Sequence, residues 1–213
     1  FTIYDTFLNQ SYVREIMPTV DHADVVIVGG GVAGCSIAYH LTKLGITDVV
    51  LCERKQLTCG TTWHAAGLVT QLRATRNMTE LAKYTGELFA ELEAETGQAT
   101  GFKKVGALRL ATNEERFEEL KRGVSMARNF GLEAQVISQG EVAERYPLAR
   151  TDDLVGGIWM PNDGQVNPSD VTMALAKGAR MRGAKILENT PVERIIVENG
   201  RAVGVELADG IIR

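Results

Sequence analysis

The chain has 213 residues, 45% hydrophobic and 23% charged, with a formal net charge of −4. These proportions suit one large or two small soluble domains around a sizeable core, and they exclude wholesale disorder. The mild acidity gives no reason to expect nucleic acid or an anionic membrane as a partner, and no stretch approaches the roughly 18 apolar residues of a membrane span. Glycine is abundant at 22 residues, against a typical share of about 7%. Either the chain is rich in loops, or its backbone turns tightly and approaches something closely. Cys35, Cys52 and Cys59 form no Cys-x-x-Cys pair, and their odd number argues for free thiols in a reducing compartment. His22, His40 and His64 have no metal-ligand spacing with them, so no metal site is expected. The sequence starts at Phe1 rather than Met, so a targeting segment is simply unobserved.

Residues 1–20 lack periodicity and read as an extension. Val25 to Val28 is a fully apolar run, expected as a buried parallel strand. Gly29-Gly30-Gly31-Val32-Ala33-Gly34 follows at once. Cys35, Ala38, Leu41 and Leu44 then recur at helical spacing, with Gly45 as the stop. A second apolar run, Val49 to Cys52, ends on Glu53. Strand, glycine loop, helix, strand and acid in about thirty residues make a βαβ unit. Gly60 to Gly67 reads as a loop and Thr79 to Thr96 as a helix. Val105 to Ala111 reads as a strand with Leu108 and Leu110 on one face, and Glu114 to Phe130 as an amphipathic helix broken by Gly131. A short strand is expected at Ala134 to Ile137, then a capping box at Ser138-Gln139-Gly140-Glu141. Residues 151–166 carry turn signals, Pro161 and Asp163-Gly164. Asn167-Pro168 is an N-cap and first-turn pair for a helix to Arg182, ended by Gly183. Ala184 to Glu188 is a strand, and Val192 to Glu198 and Arg201 to Leu207 form a hairpin on Asn199-Gly200. Asp209-Gly210 turns the chain into a third strand at Ile211-Ile212.

Each glycine of the loop has a physical task. Gly29 permits the tight turn after the strand, Gly31 lets a pyrophosphate approach the backbone, and Gly34 lets the helix pack close to the strand. The helix start at Val32 and Ala33 offers free N–H groups and a positive dipole end. Glu53 stands at the acid position about 20 residues on, where a carboxylate accepts the hydroxyls of an adenosine ribose and would repel a 2′-phosphate. The unit alone does not separate FAD from NAD. Thr61 and Thr62 can donate to phosphate or ribityl oxygens, and a Gly-Thr-Thr loop followed by Ala-Ala-Gly fits a backbone passing close to a larger ligand.

Thr61-Thr62-Trp63-His64-Ala65-Ala66-Gly67-Leu68 resembles the dimethylglycine and sarcosine dehydrogenase family of FAD-dependent amine oxidoreductases. Glu95-Thr96-Gly97, Gly106-Ala107-Leu108-Arg109-Leu110, Asp163-Gly164 and Ala174 to Arg180 extend the resemblance, which spans residues 23–213. It implies an α/β fold: a glutathione-reductase-like, Rossmann-type FAD domain with a β-meander, plus the start of an inserted α+β substrate domain. The implied division is 1–20 extension, 21–98 and 165–213 FAD domain, and 99–164 substrate domain. The chain then reads as the front part of a longer one, with the closing segment of the FAD domain after Ile212. The resemblance also implies FAD contacts at Val32, Ala33, Glu53, Arg54, Gly60 through Leu68 and Val192, and covalent attachment of FAD through its 8α-methyl carbon to His64. A neutral imidazole nitrogen is a competent nucleophile toward that electrophilic carbon. Trp63 reads either as a shield over the flavin or as core filler, and Tyr84 and Trp159 as core. Arg73 and Arg76 read either as an attraction for a substrate carboxylate or as solvated charges.

The activity implied is oxidative N-demethylation of sarcosine or dimethylglycine. Hydride leaves the N-methyl carbon for flavin N5, and the iminium product yields formaldehyde or passes its carbon to tetrahydrofolate in a C-terminal part. The substrate-contacting residues are expected beyond residue 213. Electron-transfer flavoprotein or oxygen is the implied electron acceptor, and the implied location is the mitochondrial matrix in a eukaryote or the cytoplasm in a bacterium. The alternatives are a non-catalytic regulatory subunit on the same fold, which lacks the Trp-His pair, and another FAD amine oxidase such as a glycine oxidase.

Overall fold

The computed structural model describes residues 20–213, so the extension expected at 1–20 lies almost wholly outside the described residues. Strands β1 (Val25–Val28) and β2 (Val49–Cys52) pair in parallel, with helix α1 (Val32–Lys43) as the crossover. The four residues of β2 are all buried because the strand is covered on both faces. Val49 and Leu51 face a helical layer, and Val50 and Cys52 face the opposite way. That is the physical meaning of an uninterrupted apolar run. The helix stops where Gly45 takes a φ of +91°, as its sequence position implies.

After a single 3₁₀ turn (Thr62–His64), β3 (Leu68–Val69) leads into α2 (Arg76–Thr96), which is capped by Thr75 accepting from the Met78 N–H. A second unit follows. It comprises β4 (Ala107–Ala111), α3 (Glu114–Asn129), β5 (Gln135–Ile137), α4 (Gln139–Arg145) and β6 (Gly156–Met160). The capping box at Ser138 and Glu141 is present at α4. The three strands form an antiparallel sheet in the order β4-β6-β5, with α3 packed over it. The chain returns through β7 (Gly164–Gln165), paired with β3, into α5 (Pro168–Met181) and β8 (Lys185–Leu187). Strand β8 extends the parallel sheet beyond β2, giving the order β1-β2-β8. Strands β9 (Val192–Glu198), β10 (Arg201–Leu207) and β11 (Gly210–Ile212) form the expected meander, with Asn199 and Gly200 both at positive φ in the first turn.

The parallel sheet is thus the middle of three layers. Helices α1, α2 and α5 cover one face, with Leu88, Leu92, Leu175 and Ala179 in that core. Val205 and Ile212 of the meander cover the other. Alternation on β2 serves both cores at once.

Two readings of the sequence are corrected. Residues 151–166 are not merely turns, because β6 is the central strand of the second sheet. Its opening Gly156-Gly157 looks like a break, yet an added Cβ would strike the Phe117 ring at 2.7 Å or the Arg109 carbonyl at 2.8 Å. The glycines are there for close packing. Leu108 and Leu110 do share a face, but Ala107 and Ala111 of the other face pack against the α3 cluster. Tyr84, expected in the core, stands 41% exposed.

A polar cluster joins the three helices. Tyr39 donates to Glu95 Oε2 at 2.6 Å, Arg182 also donates to Glu95, and Lys43 donates to the Tyr39 hydroxyl. Burial raises the Glu95 carboxyl, but the bonds from Tyr39 and Arg182 outweigh it and hold the group below the usual carboxylate range. A depressed pKa contributes stability that is present above the ordinary glutamate value and lost as pH falls through the folded value. Glu95→Gln should cost about 1.5–3 kcal/mol at neutral pH, as expected for bonds to a charged group. Urea unfolding at pH 7 and at pH 3 should show the difference shrinking in acid.

Candidate functional site

The first turn of α1, the end of β2 and the loop after it meet at one place. Gly31 is the N-cap and carries no side chain to cap the helix. Gly30 N–H donates to Glu53 Oε2 at 2.6 Å, and Val32 N–H donates to Thr62 Oγ1 at 3.0 Å. Glu53 Oε1 accepts from Lys55 N–H at 3.0 Å and lies 3.7 Å from the Cys59 thiol. Burial raises the Glu53 carboxyl. The bonds from Gly30, Lys55 and Cys59, with the charge of Arg54, outweigh that and hold it low, so the group is an anion at neutral pH.

The glycines divide their work as the sequence implies, with one addition. Gly29 sits at φ +110°, a conformation that side chains rarely adopt. A Cβ on Gly34 would stand 2.0 Å from the Gly29 carbonyl, which accounts for the close approach of helix and strand. Gly30, to which no task is assigned from sequence, is equally constrained, since its Cβ would meet Leu57 at 2.5 Å and Glu53 at 2.9 Å. Gly67 combines φ +74° with a Cβ position 2.2 Å from the Val166 carbonyl.

Two clefts open from this junction. The first, of about 350 Å³, is lined by Gly31, Val32, Ala33, Glu53, Arg54, Cys59, Gly60, Thr61 and Thr62. The second, of about 410 Å³, is lined mainly by apolar groups: Ala65, Ala66, Gly67, Leu68 and Val69 from the loop, and Phe89, Val166, Pro168 and Val171 from the helical layer. Thr70 and Arg73 stand at it too, and Val32 and Thr62 line both clefts. The polar cleft, with a helix N-terminus and a carboxylate, suits a pyrophosphate and a ribose. The apolar one suits a planar ring system.

Trp63 and His64 ride on the 3₁₀ turn that follows Thr62, both exposed and lining neither cleft, with ring centroids 3.8 Å apart and planes tilted by 34°. Trp63 is 59% exposed, so it is not core filler, and it covers the His64 ring. Val192 is placed elsewhere, packed into the core between the parallel sheet and the meander. Arg76 donates to the Asn129 carbonyl at 2.9 Å. Cys35 is fully buried, and burial pushes its thiol up to about 12, so it is an inert packing residue. His22 lies 3.5 Å from Asp48, and His40 bonds the Ser36 carbonyl and the Tyr84 hydroxyl on the surface of α1. Among the described residues no group of side chains could hold a metal ion.

Sequence reasoning passed over the far wall of the apolar cleft. Phe89, Val166 and Pro168 carry no local signal of a binding role and come together only through packing. Asp163 is likewise non-local. It is fully buried; its Oδ1 accepts from Gln71 N–H at 2.9 Å, and its Oδ2 has no hydrogen-bond partner among the described residues.

A family model described as "FAD dependent oxidoreductase" matches residues 24–213. The chain belongs to that family. It is 43% identical over 202 residues to human mitochondrial sarcosine dehydrogenase, covering 92% of this chain and 22% of that protein. It is 39% identical over 193 residues to rat mitochondrial dimethylglycine dehydrogenase, covering 91% and 22%. The L-proline dehydrogenase of P. horikoshii has the same fold, with a TM-score of 0.85 at 30% identity, covering 91% of this chain and 51% of that one. The chain therefore spans about a fifth of the length of these two curated relatives. FAD is the cofactor of this family, and the paired clefts, one polar at a helix N-terminus and one apolar, fit a group of that shape.

The glycine contacts separate two substitutions. Gly34→Ala should destabilise by about 1–3 kcal/mol, the usual cost of overpacking, because the Gly29 carbonyl cannot retreat from β1. Gly60→Ala meets nothing within 4 Å and should stay within about 0.5 kcal/mol of the parent. Denaturant midpoints of the two variants check this.

Proposed function

We propose that this chain forms the FAD-holding part of an enzyme that oxidatively N-demethylates a methylated glycine, sarcosine or dimethylglycine. The observation that carries the reading is the pair of clefts, one polar and one apolar, that meet at Val32 and Thr62, next in sequence to the stacked Trp63–His64 pair, in a chain similar to sarcosine and dimethylglycine dehydrogenases.

In this reading the ADP half of FAD lies in the polar cleft. Gly31 and Ala33 present backbone N–H groups to the pyrophosphate, Val32 lines the cleft with its own N–H bonded to Thr62, and the Gly29 and Gly34 contacts fix the turn. Glu53 takes the ribose hydroxyls, with Arg54 beside it. Gly60, Thr61 and Thr62 close over the phosphates, while Ala65, Ala66, Gly67 and Leu68 run along the ring system. His64 carries the flavin covalently, and Trp63, stacked on its imidazole, limits the orientations that ring can take. Val192 acts at one remove, through the core that packs the meander against the parallel sheet. When bound, FAD supplies the two-electron acceptor for the C–H bond beside the amine nitrogen. Arg73 at the far end of the apolar cleft meets the substrate's carboxylate, and the apolar lining disfavours an ammonium, keeping the amine neutral for reaction.

The domain division belongs to the same proposal. Residues 21–98 and 165–213 hold the cofactor, supported by cores that join α1, α2 and α5 to the parallel sheet and the sheet to the meander. Residues 99–164 begin the substrate side, supported by the separate core under α3. A soluble electron acceptor such as an electron-transfer flavoprotein, capture of the one-carbon unit by tetrahydrofolate in a further part of the chain, and a mitochondrial location in a eukaryote complete the reading.

Acid precipitation of the full-length protein tests the linkage. Flavin fluorescence should stay with the pellet and with the band on a denaturing gel; a colourless pellet under a yellow supernatant would sink it. His64→Ala should release the flavin into the supernatant. With a dye acceptor, sarcosine or dimethylglycine should be turned over and release formaldehyde, and Arg73→Gln should raise KM at least tenfold with a smaller change in kcat. No turnover of any amine would favour a regulatory subunit.

A further inference from the structure

The stretch that carries His64 is held at its two ends and at one point between them. Thr58 N–H donates to the Gly30 carbonyl at 3.1 Å, and Val166 N–H donates to the Gly67 carbonyl at 2.8 Å. Inside those anchors the 3₁₀ turn closes on itself, with His64 N–H donating to the Thr61 carbonyl and Ala65 N–H to the Thr62 carbonyl. Trp63, His64, Ala65 and Ala66 are all exposed, so burial does not fix them. Thr62 is the exception. It is buried, and its Oγ1 accepts from Val32 N–H at 3.0 Å. Among the described residues this is the only hydrogen bond from residues 60–66 to the rest of the chain.

The start of α1 is shaped to receive that hydroxyl. A helix start has backbone donors without intrahelical partners, and the N-cap Gly31 has no side chain to take one. Thr62 supplies the oxygen from across the fold instead. A Cβ on Gly31 would stand 3.1 Å from Thr62 Oγ1, so the glycine leaves the hydroxyl its seat. Thr62 also lines both clefts. One hydroxyl therefore ties the helix start, at the polar cleft, to the turn that bears His64.

We propose that Thr62 is a positioning residue for the covalent attachment of FAD to His64, an inference that rests on the linkage proposed above. In that step an imidazole nitrogen of His64 forms a bond to the flavin 8α carbon. The carbon and the imidazole each give up a proton, and the flavin takes up the electron pair. Dioxygen then takes that pair and two protons, leaving as hydrogen peroxide, and the flavin is oxidised again. Such a bond forms readily only when the reacting atoms are held about 3–3.5 Å apart, and a misplacement of about 1 Å costs on the order of 100-fold. Thr62 acts through the backbone of the turn. It keeps the imidazole in register with a ligand whose other end is fixed at the same helix.

The test uses full-length protein made under riboflavin starvation and then given FAD in air. Acid-stable flavin is followed over time at a series of FAD concentrations. At saturating FAD, Thr62→Val should form the linkage at least tenfold more slowly than the parent, and Thr62→Ser, which keeps the hydroxyl, should recover most of the rate. Thr62→Ala makes the same comparison with a smaller side chain, so a poorly folded valine variant does not decide the matter. The proposal is overturned if the variants without the hydroxyl reach the parent's saturated rate and differ only in the FAD concentration they need, because Thr62 then serves binding alone. It is overturned equally if Thr62→Ser is as slow as Thr62→Val. If the parent binds FAD and forms no acid-stable flavin, the attachment at His64 itself falls, and this inference with it.

Discussion

The start of α1 is held within hydrogen-bonding reach of the end of β2 because glycines remove every side chain that would keep them apart. A Cβ at Gly34 would collide with the Gly29 carbonyl, and one at Gly30 would collide with Glu53 and Leu57. With those atoms missing, the Gly30 amide reaches the Glu53 carboxylate, a bond to a charged group of about 1.5–3 kcal/mol. The carboxylate stays ionised although it is buried, because Gly30 and Lys55 both donate to it. From this contact follow the direction of α1 across the sheet, the position of the loop that returns over it, and the polar cleft between them. The bond from Val32 to Thr62 then fixes where the polar cleft gives way to the apolar one.

The two clefts are made of different kinds of structure. The polar one comes from residues close in sequence to the β2 end and the α1 start. The apolar one is assembled from the loop after the 3₁₀ turn, the middle of α2 and the start of α5. Gly67, whose Cβ position is taken by the Val166 carbonyl, lets the first of these lie against the third. The short β3–β7 ribbon ties the same two stretches together and carries the chain on to the second sheet. The cofactor-sized space is therefore a product of long-range packing built onto a local motif.

That division explains what could be read from the sequence. The βαβ unit, the helix caps at Ser138 and Asn167 and the Asn199-Gly200 hairpin were legible because each is written within a few residues. The polar cleft was legible for the same reason. Strand β6 was not, because its opening glycines answer to the Phe117 ring and the Arg109 carbonyl, far away in the chain. Phe89, Val166 and Pro168 were silent because an apolar residue gives no sign of whether it faces a core or a cleft. Trp63 was ambiguous in sequence, and only its exposure and its stacking on His64 separate the alternatives.

Asp163 gives the molecule an unequal response to acid. Burial raises its carboxyl pKa against the bond from Gln71 and the charges of Arg109 and Arg73. A carboxyl that is harder to ionise in the folded state weakens that state as pH rises through the ordinary aspartate range, and acid reverses the effect. Glu53 behaves oppositely, since it is held low and loses its contribution when it takes up a proton. Asp163 anchors the segment that leads from the apolar cleft to the second sheet, while Glu53 anchors the start of the glycine helix. Acidification therefore relieves the cost of ionising Asp163 while it removes the contribution of Glu53, so the two anchors answer one fall in pH with opposite signs.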